Sequence, residues 1–148
     1  MISALVAENL AACSRIYVEA FTAAPYNESW EIEDAAQRLD DVFFTPRTYG
    51  VGASTPDGEL VGFALGRLDR NGPQDYFLLQ EFAVLPAHQR QGYGIALIKA
   101  LRTRLPQAGH WYLLADRESP AVDFYAKLGF QPAQRTGVFL CPAVAIGG

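Results

Sequence analysis

Residues 84–97 place an apolar run, a proline stop, a polar loop and two glycines in immediate succession. Residues 76–85 are mostly apolar, and Pro86 ends the run. Gln89, Arg90 and Gln91 are polar, and Gly92 and Gly94 open a segment whose apolar residues recur at helical spacing. This order constrains the chain to strand, loop and helix, with N–H groups bared where the helix begins. The first N–H groups of a helix lack intrahelical partners and sit at the positive end of its dipole. A helix start made of small residues therefore suits an anion, and phosphate above all. The stretch predicts a phosphate-bearing cofactor.

Three phosphate loops compete for this pattern. A P-loop requires Lys and Ser or Thr after its second glycine, but Ile95 and Ala96 follow Gly94. A dinucleotide fingerprint requires a third glycine where Leu97 stands. The run Gln89-Arg90-Gln91-Gly92-Tyr93-Gly94 instead resembles the Gln/Arg-x-x-Gly-x-Gly/Ala loop of the GNAT superfamily of N-acetyltransferases. A second match follows downstream. Ser119-Pro120-Ala121-Val122-Asp123-Phe124-Tyr125-Ala126-Lys127-Leu128-Gly129-Phe130 is similar to that superfamily's Asn-x-x-Ala-x-x-Phe/Leu-Tyr-x-x-x-Gly-Phe motif. The resemblance is close over residues 63–130 and loose over the first third. Ser119 departs from it, standing where the family usually carries Asn, yet Ser can still cap the helix, with Pro120 at the first helical position.

With 148 residues, the chain is long enough for one domain with its own core. We expect residues 1–148 to form a single domain. Periodicity and turn signals predict a strand within 1–6, a helix over 7–21, and a second helix capped by Ser29 and ended by Pro46. Strands over 48–54, 60–68 and 76–85 follow, separated by Pro56-Asp57-Gly58 and Asn71-Gly72-Pro73. Then come a helix over 92–105, a buried strand over 111–115, a helix over 119–128 closed by Gly129, and one or two strands within 130–140. This is an α/β order with a mixed, mostly antiparallel sheet flanked by about four helices. It is also the order the GNAT resemblance implies.

Charge and cysteine usage narrow the class. The net charge is −4 and the arginines are scattered, which argues against a nucleic-acid surface. No run approaches the ~20 apolar residues of a membrane span. Two cysteines without metal spacing and two histidines argue against a zinc site, and we expect no metal. A cytoplasmic protein is the expectation, with a second copy of the chain admitted as a partner.

The resemblance implies acetyl-CoA as cosubstrate and a small-molecule or peptide amine as acceptor, with direct transfer in a ternary complex. Aminoglycosides and polyamines are particular acceptor classes within that reading. A non-catalytic acyl-CoA-binding module is the alternative from another class. The implied cofactor contacts are Gln89, Arg90, Gln91, Gly92, Tyr93 and Gly94 on the loop, Phe82, Ala83 and Val84 on the central strand, and Ser119. Tyr125 is the implied general acid toward the departing sulfur, although its helical spacing with Ala121 and Leu128 also suits a packing stripe. Glu81 is the candidate base, because a carboxylate within an otherwise apolar strand needs a partner or a role. Burial would raise its pKa toward a useful value, and the competing reading is an ion pair with an arginine such as Arg67. Tyr26, Glu28 and Trp30 form an acidic and aromatic segment suited to a cationic amine.

Overall fold

The computed structural model describes residues 1–145 and contains four α-helices, short 3-10 turns and one five-stranded sheet. The strands are β1 (Ile2–Ala4), β2 (Thr48–Ser54), β3 (Leu60–Asn71), β4 (Gln74–Val84) and β5 (Ala108–Tyr112). They lie side by side in chain order. The first four pair antiparallel, and β4 pairs parallel with β5. The parallel pair needs a crossover, which α3 (Tyr93–Thr103) supplies. The remaining helices are α1 (Leu10–Thr22), α2 (Ile32–Phe43) and α4 (Ala121–Lys127). The chain divides into two compact units, Met1–Leu114 and the part from Ala115 on.

The near-continuous burial of Val61–Leu65 in β3 shows that both of its faces are covered. Phe63, Leu65 and Ala83 join Cys13, Ile16 and Tyr17 of α1 and Ala35, Leu39 and Val42 of α2 in one core. A Cβ on Gly62 would instead meet Leu97 of α3, so α3 covers the opposite face. Alternation along β4 then puts Glu81, two residues from Ala83, on the α1/α2 face.

Several expected boundaries moved. α2 begins at Ile32 with Glu31 as its extended cap residue, so Ser29 is not the cap. Trp30 is held outside the helix by Tyr17 and by a bond to Glu28. β5 lies three residues earlier than expected and is largely uncovered, because its bounds follow the register with Asp75–Leu78 rather than local strand preference. Residues 130–140 form no strand. A strand exists only with a ladder partner, and here Phe139 is 97% exposed. In the second unit α4 starts at Ala121 with Pro120 in the cap position, and Ser119 Oγ accepts the Ala121 N–H at 3.2 Å. The helix ends as expected: the N–H groups of Gly129 and Phe130 bond the carbonyls of Ala126 and Tyr125, both at 3.0 Å.

Candidate active site

The centre of β4 is irregular. Leu65 faces Glu81 and Gly66 faces Leu79, so Gln80 is an extra residue without an opposite number. A bulge of this kind bends the strand and re-aims the side chains that follow it. The Oε1 of Gln80 is buried and has no hydrogen-bond partner among the described residues. Pairing between β4 and β5 stops at Leu78 opposite Tyr112, whereas β4 continues to Val84. Leu85 N–H donates to Val61 C=O at 2.8 Å. Alternation from that bond turns the main-chain groups of Ala83 toward β3 and those of Phe82 and Val84 toward the side β5 has left.

The loop after β4 is tied to that same edge. The Gln89 amide donates from Nε2 to Val84 C=O at 3.0 Å. A 3-10 turn, Pro86–His88, leads into it, and the His88 ring rests 6.1 Å from that of Tyr93. Arg90 and Gln91 are exposed, and Arg90 has φ 62°. Gly92 caps α3 with φ 88°, a left-handed conformation that glycine alone adopts at little cost. The first helical bond runs from Ala96 N–H to Gly92 C=O, so the N–H groups of Tyr93, Gly94 and Ile95 precede it.

Glu81 is 4% exposed and its partner is Arg38 of α2, whose Nε donates to Oε1 at 2.6 Å. Arg67 is not that partner; it pairs with Asp69, two residues along its own strand. Burial pushes the Glu81 carboxyl above the usual carboxylate range, and the Arg38 cation only partly offsets this. The Tyr17 phenol is pushed up to about 12 by burial and by the Glu81 charge, so it remains neutral. Arg38 is half exposed and its guanidinium lies 5.9 Å from the Trp30 ring centroid. Trp30 meets Tyr17 edge to face at 4.9 Å and donates from Nε1 to Glu28 at 2.9 Å. Tyr26 packs on Phe21 at 5.1 Å. The expected acceptor segment and Glu81 are thus linked through Arg38 and Tyr17, two residues not anticipated from sequence. A signal for Arg38 was present but unread: Ala35, Arg38, Leu39 and Val42 share one helical stripe, and a lone charge on a buried stripe calls for an opposite charge.

Tyr125 and Ser119 belong to the second unit. The Tyr125 ring lies 5.6 Å from Phe124 and 5.8 Å from Phe130, and no residue of α4 is fully buried. Cys13 is completely buried and its thiol is pushed up to about 12 by burial, which leaves it a poor nucleophile. Among the described residues, no three His, Cys, Asp or Glu side chains gather in a way that could hold a metal ion.

Comparison with known proteins bears on this arrangement. Residues 10–130 match the model of a family described as the acetyltransferase (GNAT) family. No curated protein sequence matches the chain. Among solved structures, a possible acetyltransferase from Clostridium difficile 630 superimposes with a TM-score of 0.80 at 9% identity, covering 96% of this chain and 97% of that one. The Trypanosoma brucei acetyltransferase Tb11.01.2886 gives 0.64 at 18% identity, over 95% and 99%. A transcriptional regulator from Bacillus halodurans C-125 gives 0.72 at 16% identity, over 95% and 98%. At these identities the likeness is one of fold.

Proposed function

The chain belongs to the acetyltransferase (GNAT) family, as the match over residues 10–130 shows, and from that premise we propose that it moves an acetyl group from acetyl-CoA to a primary amine. The observation that carries this reading is the conjunction on β4: a bulge, a strand edge that β5 leaves at Leu78, and a buried carboxylate with a raised pKa. Acetyl-CoA supplies an acetyl group activated as a thioester. Its pyrophosphate suits the helix start at residues 92–95, and its peptide-like arm suits the β4 edge at Phe82 and Val84. Ser119 offers a further contact toward that arm.

In this reading Glu81 accepts a proton from the acceptor ammonium, directly or through a water, and the amine attacks the thioester carbonyl. Its raised pKa brings it nearer the working range of a base. Main-chain N–H groups of β4 stabilise the charge that develops on the carbonyl oxygen. Tyr125 donates a proton to sulfur as the C–S bond breaks. No acyl-enzyme forms, consistent with the inert setting of Cys13. The whole chain acts as one catalytic domain in the cytoplasm.

Tyr26, Glu28 and Trp30 form one wall for the acceptor. Arg38 already lies over Trp30, and the Trp30 Nε1–H engages Glu28, so this corner holds a single amine end better than a polycation. The test is amine-dependent release of CoA thiol over a panel of simple amines, amino acids, peptides, polyamines and aminoglycosides. Release above the amine-free rate with at least one class supports the proposal. Acetyl-CoA binding without release across the panel would assign the chain to the acyl-CoA-binding alternative, which fold likeness alone does not oppose.

A further inference from the structure

The two members of the Arg38–Glu81 pair are unequally sheltered. The Glu81 side chain is 4% exposed and that of Arg38 48% exposed. One bond joins them, from Arg38 Nε to Glu81 Oε1. The Nη groups of Arg38 have no hydrogen-bond partner among the described residues, so the two-bond fork that grips a carboxylate most firmly is not formed. Arg38 is thus the solvent-side half of the pair. Its guanidinium lies 5.9 Å from the centroid of the Trp30 ring, whose Nε1 donates to Glu28.

A base must exchange a proton with its substrate, yet a carboxylate this buried offers an incoming amine no open approach. Arg38 can move aside, because its guanidinium regains water outside. Glu81 cannot then be left alone, since a buried charge without a partner is costly. It has no other ion-pair partner among the described residues, and Arg67 is held by Asp69. Only a cation that arrives as Arg38 leaves keeps the carboxylate paired. The displaced guanidinium has a place to go: the Glu28 charge already acts on it, and the one bond to Glu28 is that from Trp30. Glu28, Arg38 and Glu81 together carry a formal charge of −1, which favours a further cation in the same corner.

We infer that Arg38 is a displaceable counter-ion that selects the acceptor by charge. The ammonium of an aliphatic amine takes its place on Glu81, whereas a weakly basic arylamine, neutral at the same pH, does not. Arg38 is in this sense a specificity-determining residue. The inference rests on Glu81 as the base of the proposed acetyl transfer, but the exchange itself is a binding event that needs no transfer.

Trp30 reports the exchange, because Arg38 lies over its ring. The other tryptophan, Trp111, has Arg102 over it, and Trp111→Phe silences it while keeping a ring against Phe77. This variant, alone and with CoA present, is titrated with propylamine at mildly alkaline pH, where the ammonium and the carboxylate are both charged. n-Propanol and sodium chloride at matched ionic strength are the references. A saturable change in Trp30 emission is expected with propylamine only. Arg38→Gln in the same background should abolish that change yet bind propylamine about tenfold more tightly by calorimetry, since no resident cation has to be displaced first. Glu81→Gln should lose the binding. Calorimetry on the unaltered chain reads the same binding if the Trp111 variant does not fold. In turnover, alkylamines should exceed arylamines in kcat/KM, and Arg38→Gln should narrow that ratio. An emission response with no amine acetylated would remove the transfer reading and leave the exchange standing. Acetylation of propylamine without the response, no saturable propylamine binding, or an affinity or a ratio unchanged in Arg38→Gln would overturn the inference.

Discussion

Two opposed influences act on Glu81. Burial raises its carboxyl, and Arg38 lowers it, with burial the larger. A carboxyl whose folded pKa exceeds its unfolded pKa holds its proton more tightly when folded. Its stabilising contribution is therefore whole in acid and is lost as pH rises through the folded value. Glu81→Gln should flatten that decline in stability between acid and neutral pH. It should also lower turnover by ~10²–10⁴-fold and remove the lower limb of the kcat/KM profile, which should lie above the usual carboxylate range. Arg38→Met should move that limb to higher pH, because the cation that opposes the rise is gone; a limb that stays in place would make the pair irrelevant to catalysis. Tyr125→Phe keeps the ring against Phe124 and Phe130 and removes only the hydroxyl. It should lower kcat by ~10²-fold with acetyl-CoA affinity nearly unchanged, since a proton given as the C–S bond breaks acts only in the transition state. Steady-state kinetics with a calorimetric titration separates this from a packing role. Glu81 stood out in the sequence because a lone charge on an apolar strand is conspicuous. The competing reading, an ion pair with an arginine such as Arg67, holds for the pairing but not for that arginine: Arg67 is served by Asp69, whereas Arg38 reaches Glu81 only through the packing of α2 on the sheet.

The start of α3 and the middle of β4 each depend on a glycine, for different reasons. At Gly92 any side chain would strain the left-handed backbone, so a substitution there tests the backbone more than the ligand. Gly94 lies inside the first helical turn, and Gly94→Val should weaken acetyl-CoA binding more than tenfold, over ~1.4 kcal/mol, in a protein of unchanged helicity. Unchanged affinity by calorimetry would remove the pyrophosphate from this loop. Gly66 sits beside the bulge, where an added Cβ would lie 2.1 Å from Leu78 C=O. Gly66→Ala should force the two strands apart there and cost ~1–3 kcal/mol in denaturant unfolding, an overpacking penalty. Strands β2 to β4 and helices α1 and α3 were legible because their apolar periods are long and their turns carry proline and glycine. Elements whose limits are set by pairing were not. β5 takes its span from the register with β4, and the β-branched and aromatic residues near 138–140 have no ladder to join. The bulge at Gln80 left no mark in composition, since it appears only when β3 and β4 are aligned.

Solved structures that share this fold at 9–18% identity include both acetyltransferases and a transcriptional regulator. The architecture therefore admits more than one use, and the assignment to this family rests on the match over residues 10–130. Two short motifs carried most of that information in the sequence, because phosphate approach and helix capping demand particular residues at fixed spacing. The proposed acceptor wall was not legible, since the corner is assembled from α1, the 26–31 segment and α2, whose side chains meet only in three dimensions. What the proposal claims is group transfer, and the fate of the acetyl group reports it directly. Acetyl-CoA with an isotopically labelled acetyl group, incubated with the protein and an acceptor from the panel, is resolved by mass spectrometry of the amine, the protein and the cosubstrate. The account predicts label on the amine nitrogen, matched by free CoA, with none on the protein. Label that remains on CoA across the amine panel, or that accumulates on the protein, would contradict it.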